Sequence, residues 1–344
     1  MDLSRELALS LSLCQRAAEV IMAVYRTDFA VDWKSPRDPV TAADRDANAL
    51  IVGALAEAFP DDAICAEEAS EESAAEASAR GGRCWFVDPL DGTREFVDRN
   101  GEFCVMIGLA IDGVARLGAV YAPVWGRTWY GIPGLGAWER GDDGATRPLR
   151  VAPAGAVSMV VSRSHPHPEV IRLAETLGAT HVVPCGGVGL KVAKVVSGEV
   201  ALYAQLAAGP KLWDGCAPEA IARGAGAAMT DAQGRAIRYD TPALALDANI
   251  VVAHPDLAAR ALDALRGCGN GARWWYTTEV ITDESEQRCH ACGEAIQGEA
   301  PGRGLLLWVR GDEVLREEPP LCQRCALAVS MAALSRWEIE EEEG

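Results

Sequence analysis

Asp88-Pro89-Leu90-Asp91-Gly92-Thr93 sets two carboxylates three residues apart in a turn, followed by a glycine and a hydroxyl. Oxygen donors at that density suit a hard divalent cation such as Mg2+, which prefers carboxylates and carbonyls and keeps waters for a phosphate substrate. The preceding Cys84-Trp85-Phe86-Val87 is a short apolar run with the character of a buried strand, and Arg94-Glu95-Phe96-Val97 can open a helix after the glycine. The acids would then stand at a strand's carboxyl end, with the free N–H groups of a helix start beside them for an anion. The same letters also serve an ordinary Asp-Pro and Asp-Gly surface turn, so the rest of the chain has to separate a metal and phosphate site from a loop.

Towards the N-terminus, Leu3, Leu7, Leu11, Cys14, Ala18, Ile21 and Tyr25 recur at steps of three and four, marking one face of an amphipathic helix. This segment has no basic n-region and no cleavage site, so it does not read as a signal peptide. A second helix is expected over Ala47 to Phe59, a strand at Ile64-Cys65-Ala66 ending on Glu67, and a polar, acid-rich connection over 69–82. From Phe103 to Tyr130 the alternation, with turns at Asp112-Gly113 and Pro123, predicts an antiparallel sheet. Gly131, Gly134 and Gly136 do not have dinucleotide-loop spacing, and no apolar helix follows them; they read as a hairpin tip with no cofactor. Beyond, Met159 to Ser162 reads as a strand, Pro168 to Leu177 and Leu190 to Val196 as helices, and Ala217 to Arg223 as a helix with Asp214 at its start. This mixture predicts a layered α/β fold.

The chain has 344 residues, enough for one large core or two moderate ones, and a formal charge of -18. That charge disfavours nucleic-acid polymers, which need basic surface, and suits a small phosphorylated substrate only where metal ions offset the repulsion. No uninterrupted apolar run of about 18 residues is present, so no membrane span is expected, and the protein is expected in the cytoplasm. Seven of the eleven cysteines are scattered through the first 268 residues in apolar company and read as small core residues.

The other four form two Cys-x-x-Cys pairs, Cys289-His290-Ala291-Cys292 and Cys322-Gln323-Arg324-Cys325, separated by 29 residues. Four thiolates in two tight pairs suit a closed tetrahedral structural Zn2+ site, a staple that a module this small needs. A composition break near Gly267 to Gly271 precedes them. The domains expected are therefore 1–265, a zinc-ribbon-like module at 270–335, and an acidic tail at 336–344. Docking to a protein partner, a homodimer contact and simple stabilisation are all open to such a module.

Four segments occur in a telling order: Asp38-Pro39-Val40-Thr41-Ala42-Ala43-Asp44, Ala66-Glu67-Glu68, the Asp88 to Thr93 stretch, and Leu212-Trp213-Asp214-Gly215. Over roughly residues 1 to 255 this resembles the inositol monophosphatase superfamily of Mg2+-dependent, Li+-sensitive phosphatases. Arg99-Asn100-Gly101-Glu102-Phe103, Val161-Ser162-Arg163-Ser164-His165 and Gly187-Val188-Gly189-Leu190-Lys191 further resemble its 3'(2'),5'-bisphosphate nucleotidase branch. The resemblance implies a five-layer αβαβα sugar-phosphatase-type fold in two subregions with the active site between them. It also implies removal of the 3'-phosphate from adenosine 3',5'-bisphosphate, a step tied to sulfur assimilation.

By the same resemblance, Glu67, Asp88, Asp91 and the Leu90 carbonyl would hold a first Mg2+, and Asp214 with Asp88 and Asp91 a second, for two or three ions per site. Asp44 and Thr93 match the pair that orients and helps deprotonate the attacking water, with Glu67 alongside as a catalytic acid residue and Glu68 as a group near a third ion or a solvated acid. Gly92 and Thr93 would receive the phosphate on their N–H groups, and Ser164, His165 and Lys191 match positions approaching the adenosine or its second phosphate. This chain departs from the family where serines usually precede the leucine before that lysine: it has Val188 and Gly189. Two other readings stay open, an inositol or sugar (bis)phosphatase with the same chemistry and a non-enzymatic adaptor or nucleotide sensor acting through the cysteine module.

Overall fold

The computed structural model describes residues 1–35, 38–153, 155–164, 167–206, 210–246 and 250–268, and four short strands between 302 and 321. The chain divides into two units, Met1–Ala272 and Arg273–Gly344. In order, the first unit comprises α1 (Ser4–Tyr25), β1 (Asp32–Ser35), β2 (Asp38–Val40), α2 (Ala42–Ala58), β3 (Ala63–Ala66), α3 (Glu71–Ala79), β4 (Arg83–Asp91) and α4 (Thr93–Val97). There follow β5 (Cys104–Ile111), β6 (Val114–Ala122), β7 (Arg127–Ile132), β8 (Gly136–Gly141), β9 (Thr146–Leu149), β10 (Ser158–Ser162), α5 (Pro168–Thr176), β11 (His181–Cys185) and α6 (Val188–Val196). The last elements are β12 (Leu202–Gln205), α7 (Leu212–Gly224), β13 (Ala228–Asp231), β14 (Ile250–Ala253) and α8 (Pro255–Cys268).

A seven-stranded sheet runs β3-β4-β5-β6-β7-β8-β9, with β3 parallel to β4 and every other pair antiparallel. A five-stranded sheet runs β11-β10-β12-β14-β13; its first three strands are parallel and β14 is antiparallel to both neighbours. Both sheets are apolar on both faces, so each strand divides its side chains between two cores. On β5, Val105, Ile107 and Leu109 join Leu13, Ile21, Ile51 and Leu55 of α1 and α2. Cys104 and Met106 turn the other way, into a core shared with α6, α7 and the inner face of the second sheet. On β10, Val160 enters that central core while Met159 packs with Val170 and Leu173 of α5 and Leu257 and Ala261 of α8. The layers are therefore α1/α2, sheet, α6/α7, sheet, α5/α8, the αβαβα order.

Helix α7 lies very close to the first sheet because three cross-strand partners, Gly108, Gly118 and Gly131, form a row without side chains across β5, β6 and β7. A Cβ at Gly108 would stand 2.6 Å from the Ala217 nitrogen, one at Gly118 would meet the Ala217 carbonyl, and one at Gly131 would lie 2.9 Å from the Ile221 Cα. The helix seats its backbone directly on this trough.

Four expectations need correction. The second helix starts at Ala42 rather than Ala47, because Thr41 and Asp44 form a capping box: the Thr41 Oγ1 accepts from the Ala43 N–H, and the Thr41 N–H donates to Asp44 Oδ2 at 2.7 Å. The stretch 69–82 is not a plain connection but contains α3, whose N-cap Ser70 Oγ accepts from the Ser73 N–H at 3.2 Å. The buried stripe of α1 is Glu6, Ser10, Leu13, Cys14, Ala17, Ala18 and Ile21, rotated from the predicted face. Leu7 and Leu11 are only partly buried, while Glu6 points inward to pair with Arg83 at 2.8 Å, itself bound to Asp62 at 2.8 Å. By length and composition α1 would pass as a membrane-crossing segment although polar residues interrupt its apolar run; here its apolar stripe is part of the core.

Helix α6 also begins earlier than predicted, at Val188. In the second unit, β15 (Gly302–Arg303) pairs antiparallel with β18 (Pro320–Leu321), and β16 (Leu306–Arg310) with β17 (Glu313–Glu317). Cys289, Cys292, Cys322 and Cys325, expected to bind zinc, lie outside the described residues.

Candidate active site

In a regular strand, residues three apart point to opposite faces. Asp88 pairs with Met106 and Asp91 with Cys104, so three steps on β4 match two on β5; the extra residue falls at Pro89-Leu90. Pro89 has no N–H to offer a ladder, and a bulge tolerates it. The inserted residue reverses the alternation and brings Asp88 and Asp91 to the same side. Asp214 arrives there on the first turn of α7, and carboxylate oxygens of Asp88, Asp91 and Asp214 all lie within 4.8 Å of one another.

Little in the protein offsets these charges. Asp88 is 2% exposed; burial, and then the charges of Glu67, Asp91 and Asp214, push its carboxyl well above the usual carboxylate range. Burial and Asp91 raise Asp214 to about 7, although the Lys211 N–H donates to its Oδ2 at 2.6 Å and Lys191 lies close enough to favour its charge. Glu67 directly follows β3, with its N–H on the Val87 carbonyl at 3.0 Å and its side chain in hydrogen-bonding contact with Asp88. A group of hard oxygen donors whose mutual repulsion is only partly offset fits a divalent cation, whose charge would remove the conflict. Glu68 is partly buried beside Glu67.

Asp44 and Thr93, 49 residues apart, meet here: Thr93 Oγ1 lies 3.0 Å from Asp44 Oδ1 and 3.1 Å from the Leu90 carbonyl oxygen. Asp44 sits at the third position of α2, reaching back to the Thr41 N–H, just as Asp214 reaches back to the Lys211 N–H on α7. Each acid is thus fixed by the first turn of its helix. Burial raises Asp44 while hydrogen bonds from Thr41 and Thr93 pull the other way. Gly92, with φ of 94°, lets the chain turn from β4 into α4; a Cβ there would press on the Glu102 carbonyl oxygen at 2.8 Å.

Of the residues expected near the nucleotide, Lys191 is 4% exposed on α6, its Nζ 5.5 Å from the centre of the Tyr203 ring. Ser164 donates its hydroxyl to the buried Glu95 of α4. His165 lies outside the described residues.

Several groups named from the sequence only as parts of motifs prove to build the site. Val188 and Gly189 donate their N–H groups to the two oxygens of Asp91, at 2.9 and 2.7 Å. Gly187 has φ of 57°, and a Cβ on it would stand 2.7 Å from Asp91 Oδ2; one on Gly189 would stand 2.6 Å from Met106 Sδ and 2.7 Å from Cys104 Sγ. The Cys104 thiol itself lies 3.4 Å from Asp91 Oδ2. Glu102 takes two hydrogen bonds of 2.7 Å from Arg163 and a third of 2.7 Å from the Gly186 N–H. The glycine pair in Cys185-Gly186-Gly187-Val188-Gly189 was the available signal, since glycines just before a helix mark close backbone approach.

A sequence model of the Inositol monophosphatase family matches residues 2–269, and the chain belongs to that family. The 3'(2'),5'-bisphosphate nucleotidase CysQ of Salmonella typhimurium is 38% identical over 230 residues, 66% of this chain and 91% of that protein. The 3'(2'),5'-bisphosphate nucleotidase 1 of Rattus norvegicus is 30% identical over 273 residues, 69% of this chain and 86% of the relative. Among solved structures, CysQ from Bacteroides thetaiotaomicron superposes with a TM-score of 0.62 at 29% identity, covering 72% of this chain and 97% of the other. The Thermotoga maritima IMPase, at 24% identity, shares the fold with a TM-score of 0.63 over 77% of this chain and 98% of its own.

Proposed function

We propose that this chain is a Mg2+-dependent, Li+-sensitive phosphoric monoester hydrolase that converts adenosine 3',5'-bisphosphate to AMP and phosphate, a step that serves sulfur assimilation. The observation that carries the reading is the convergence of Asp88, Asp91 and Asp214 within 4.8 Å beside the Asp44–Thr93 pair. Glu67, Asp88, Asp91, the Leu90 carbonyl and Asp214 would hold the ions. Bound Mg2+ supplies charge neutralisation on the phosphate and lowers the pKa of a water.

The residues themselves divide the remaining work. Thr93 gives its hydroxyl hydrogen to Asp44, which leaves its oxygen lone pairs free to accept from a water and aim it at phosphorus. The water oxygen bonds to phosphorus, the P–O3' bond breaks with its electron pair going to O3', the proton lost by water passes towards Asp44, and the departing 3' oxygen takes up a proton from solvent to become a hydroxyl. The raised affinity of Asp44 for protons suits it to receive one. Gly92 and Thr93 would orient the phosphate through their N–H groups, and Ser164, His165 and Lys191 would face the nucleotide. No side-chain nucleophile is required, so hydrolysis is direct.

A panel of adenosine 3',5'-bisphosphate, inositol 1-phosphate and fructose 1,6-bisphosphate tests the substrate. The bisphosphate is expected to have the highest kcat/KM by at least about tenfold, the scale of one or two recognised polar contacts. Equal values would transfer the assignment to the inositol or sugar phosphatase reading.

The cysteine pairs Cys289/Cys292 and Cys322/Cys325 we read as one structural Zn2+ site in a module open to a protein partner or a second copy. The purified chain is expected to carry about one zinc per molecule by elemental analysis, the stoichiometry of a four-cysteine site; its absence would overturn this assignment. We place the protein in the cytoplasm, a reading supported by the buried free thiols of Cys14, Cys65, Cys84, Cys104, Cys185 and Cys216.

A further inference from the structure

We propose that Glu102 and Arg163 form a positioning pair that fixes Asp91 for metal binding by way of the 186–189 turn, a role that rests on the metal site assigned above. The two residues flank different sheets: Glu102 lies two positions before β5 and Arg163 immediately follows β10. Their contact is a two-pronged one, Arg163 Nε on Glu102 Oε2 and Nη2 on Oε1, each at 2.7 Å. Such a fork fixes direction as well as distance. Arg163 is itself held from behind, its N–H on the Cys185 carbonyl at 3.1 Å and its Nη2 on the Pro184 carbonyl at 3.3 Å. The pair therefore ties the end of β11 to the segment that leads into β5.

The same Glu102 carboxylate reaches one step further. Its Oε2 accepts the Gly186 N–H at 2.7 Å. Gly186 is followed by Gly187, in the left-handed region, and then by Val188 and Gly189, whose N–H groups end on Asp91 at 2.9 and 2.7 Å. Glu102 and Asp91 thus grip the two ends of a four-residue turn. The turn is closely packed on its neighbours: a Cβ on Gly186 would run into Glu95 and the Glu102 carbonyl, and one on Gly187 into Asp91. Glu102 also steadies its own loop, its N–H on Asn100 Oδ1 at 2.9 Å and the Asn100 N–H on the Glu95 carbonyl at 3.2 Å.

The charge of Glu102 is well supported: burial pushes its carboxyl up, but the Arg163 guanidinium and the Gly186 N–H outweigh that and hold it below the usual range. Arg163 is 41% exposed and Glu102 16%, so the ion pair alone adds little to folding stability. What it adds is placement. A carboxylate that must meet a cation gains affinity when its orientation is set beforehand, and loss of such a support commonly costs 10- to 100-fold in metal affinity or activity.

The test uses the full chain, stripped of divalent ions and without substrate. Mn2+ binding is measured by calorimetry or electron paramagnetic resonance for the unaltered protein, Glu102→Gln, Arg163→Met and, as a control for loss of an unrelated ion pair, Arg235→Met, whose partner is Asp231 at 2.6 Å. Both Glu102→Gln and Arg163→Met are expected to weaken Mn2+ binding by about tenfold, with Arg235→Met unchanged. Arg163→Lys, which keeps the charge but loses the fork, should recover only part of the loss. If Glu102→Gln does not fold, Arg163→Met decides alone, because it leaves the Gly186 acceptor in place. Mn2+ affinity within twofold of the unaltered protein, whether or not the melting temperature falls, would overturn the proposal. If the unaltered protein itself fails to bind Mn2+, the metal site is wrong, and that result is distinct from a failure of the pair.

Discussion

Replacing Asp91 with asparagine is expected to lower phosphate release about a thousandfold at saturating Mg2+, in a protein that still folds. The stabilisation that bound cations give a transferring phosphate amounts to several kcal/mol, and each 1.36 kcal/mol is a factor of ten. Asp91 is the member of the cage with the most demanding surroundings. Its two oxygens each accept a main-chain N–H, from Val188 and Gly189, with the Cys104 thiol 3.4 Å away. An asparagine has the same shape but only one oxygen, so its NH2 group would face one of those N–H donors. The start of α6 would then retreat just where a negative ligand is needed. Steady-state phosphate release, paired with circular dichroism to confirm folding, checks this. A loss of less than tenfold in a folded variant would show that the reaction does not run at this cluster.

Stability of the metal-free protein is expected to fall as pH rises from about 4 to about 7, and to recover on adding Mg2+. Asp214 has a folded value of about 7 against 3.8 for a free aspartate, and Asp88 and Asp44 are also raised. Between the unfolded and folded values the native state binds more protons than the unfolded chain, so unfolding free energy declines with pH. The slope approaches about 1.4 kcal/mol per pH unit for each such group. Glu102, Glu139 and Glu199 are shifted the opposite way, and their contribution is lost only as pH drops below about 4.5, the ordinary glutamate range. With Mg2+ present the acids must be ionised to bind, and saturation at a hundred times Kd adds about 2.7 kcal/mol. Thermal melting at pH 5.5 and pH 8, in EDTA and in Mg2+, reads both effects. A metal-free protein that melts higher at pH 8, or that Mg2+ leaves unmoved, would contradict the buried-charge account; full catalytic rate in EDTA would contradict the metal requirement as well.

Local chemistry made much of this legible in advance. The apolar Cys84 to Val87 run, the hairpin turn at Asp112-Gly113 and the Asp-rich turn before α4 are signals that a few neighbouring residues carry by themselves, and they located β4, the β5–β6 hairpin and the acids. What escaped depended on partners distant in the chain. Glu6 looked like an outward residue of α1, yet Arg83, 77 positions on, draws it inward. The early start of α2 was written in Thr41 and Asp44 but concealed by Asp44 also belonging to the site. The 69–82 stretch looked like a loop because it is polar, whereas alanine and glutamate favour a helix whenever a cap is supplied, as Ser70 does. The hold of the 186–189 turn on Asp91 joins residues 97 and 98 apart, and no spacing in the sequence announces it.

The row of Gly108, Gly118 and Gly131 under α7 has a bearing on how this architecture can vary. Asp88 and Asp91 are carried by a strand, Asp214 by a helix, and the thickness of what separates the two is set by three positions that hold no side chain at all. A single methyl in that row would act as a shim, lifting the helix and widening the gap that a cation has to bridge, although no acid had been touched. Differences in ion preference between proteins built on this plan can therefore originate in the floor beneath the helix, far from any atom that meets the ion.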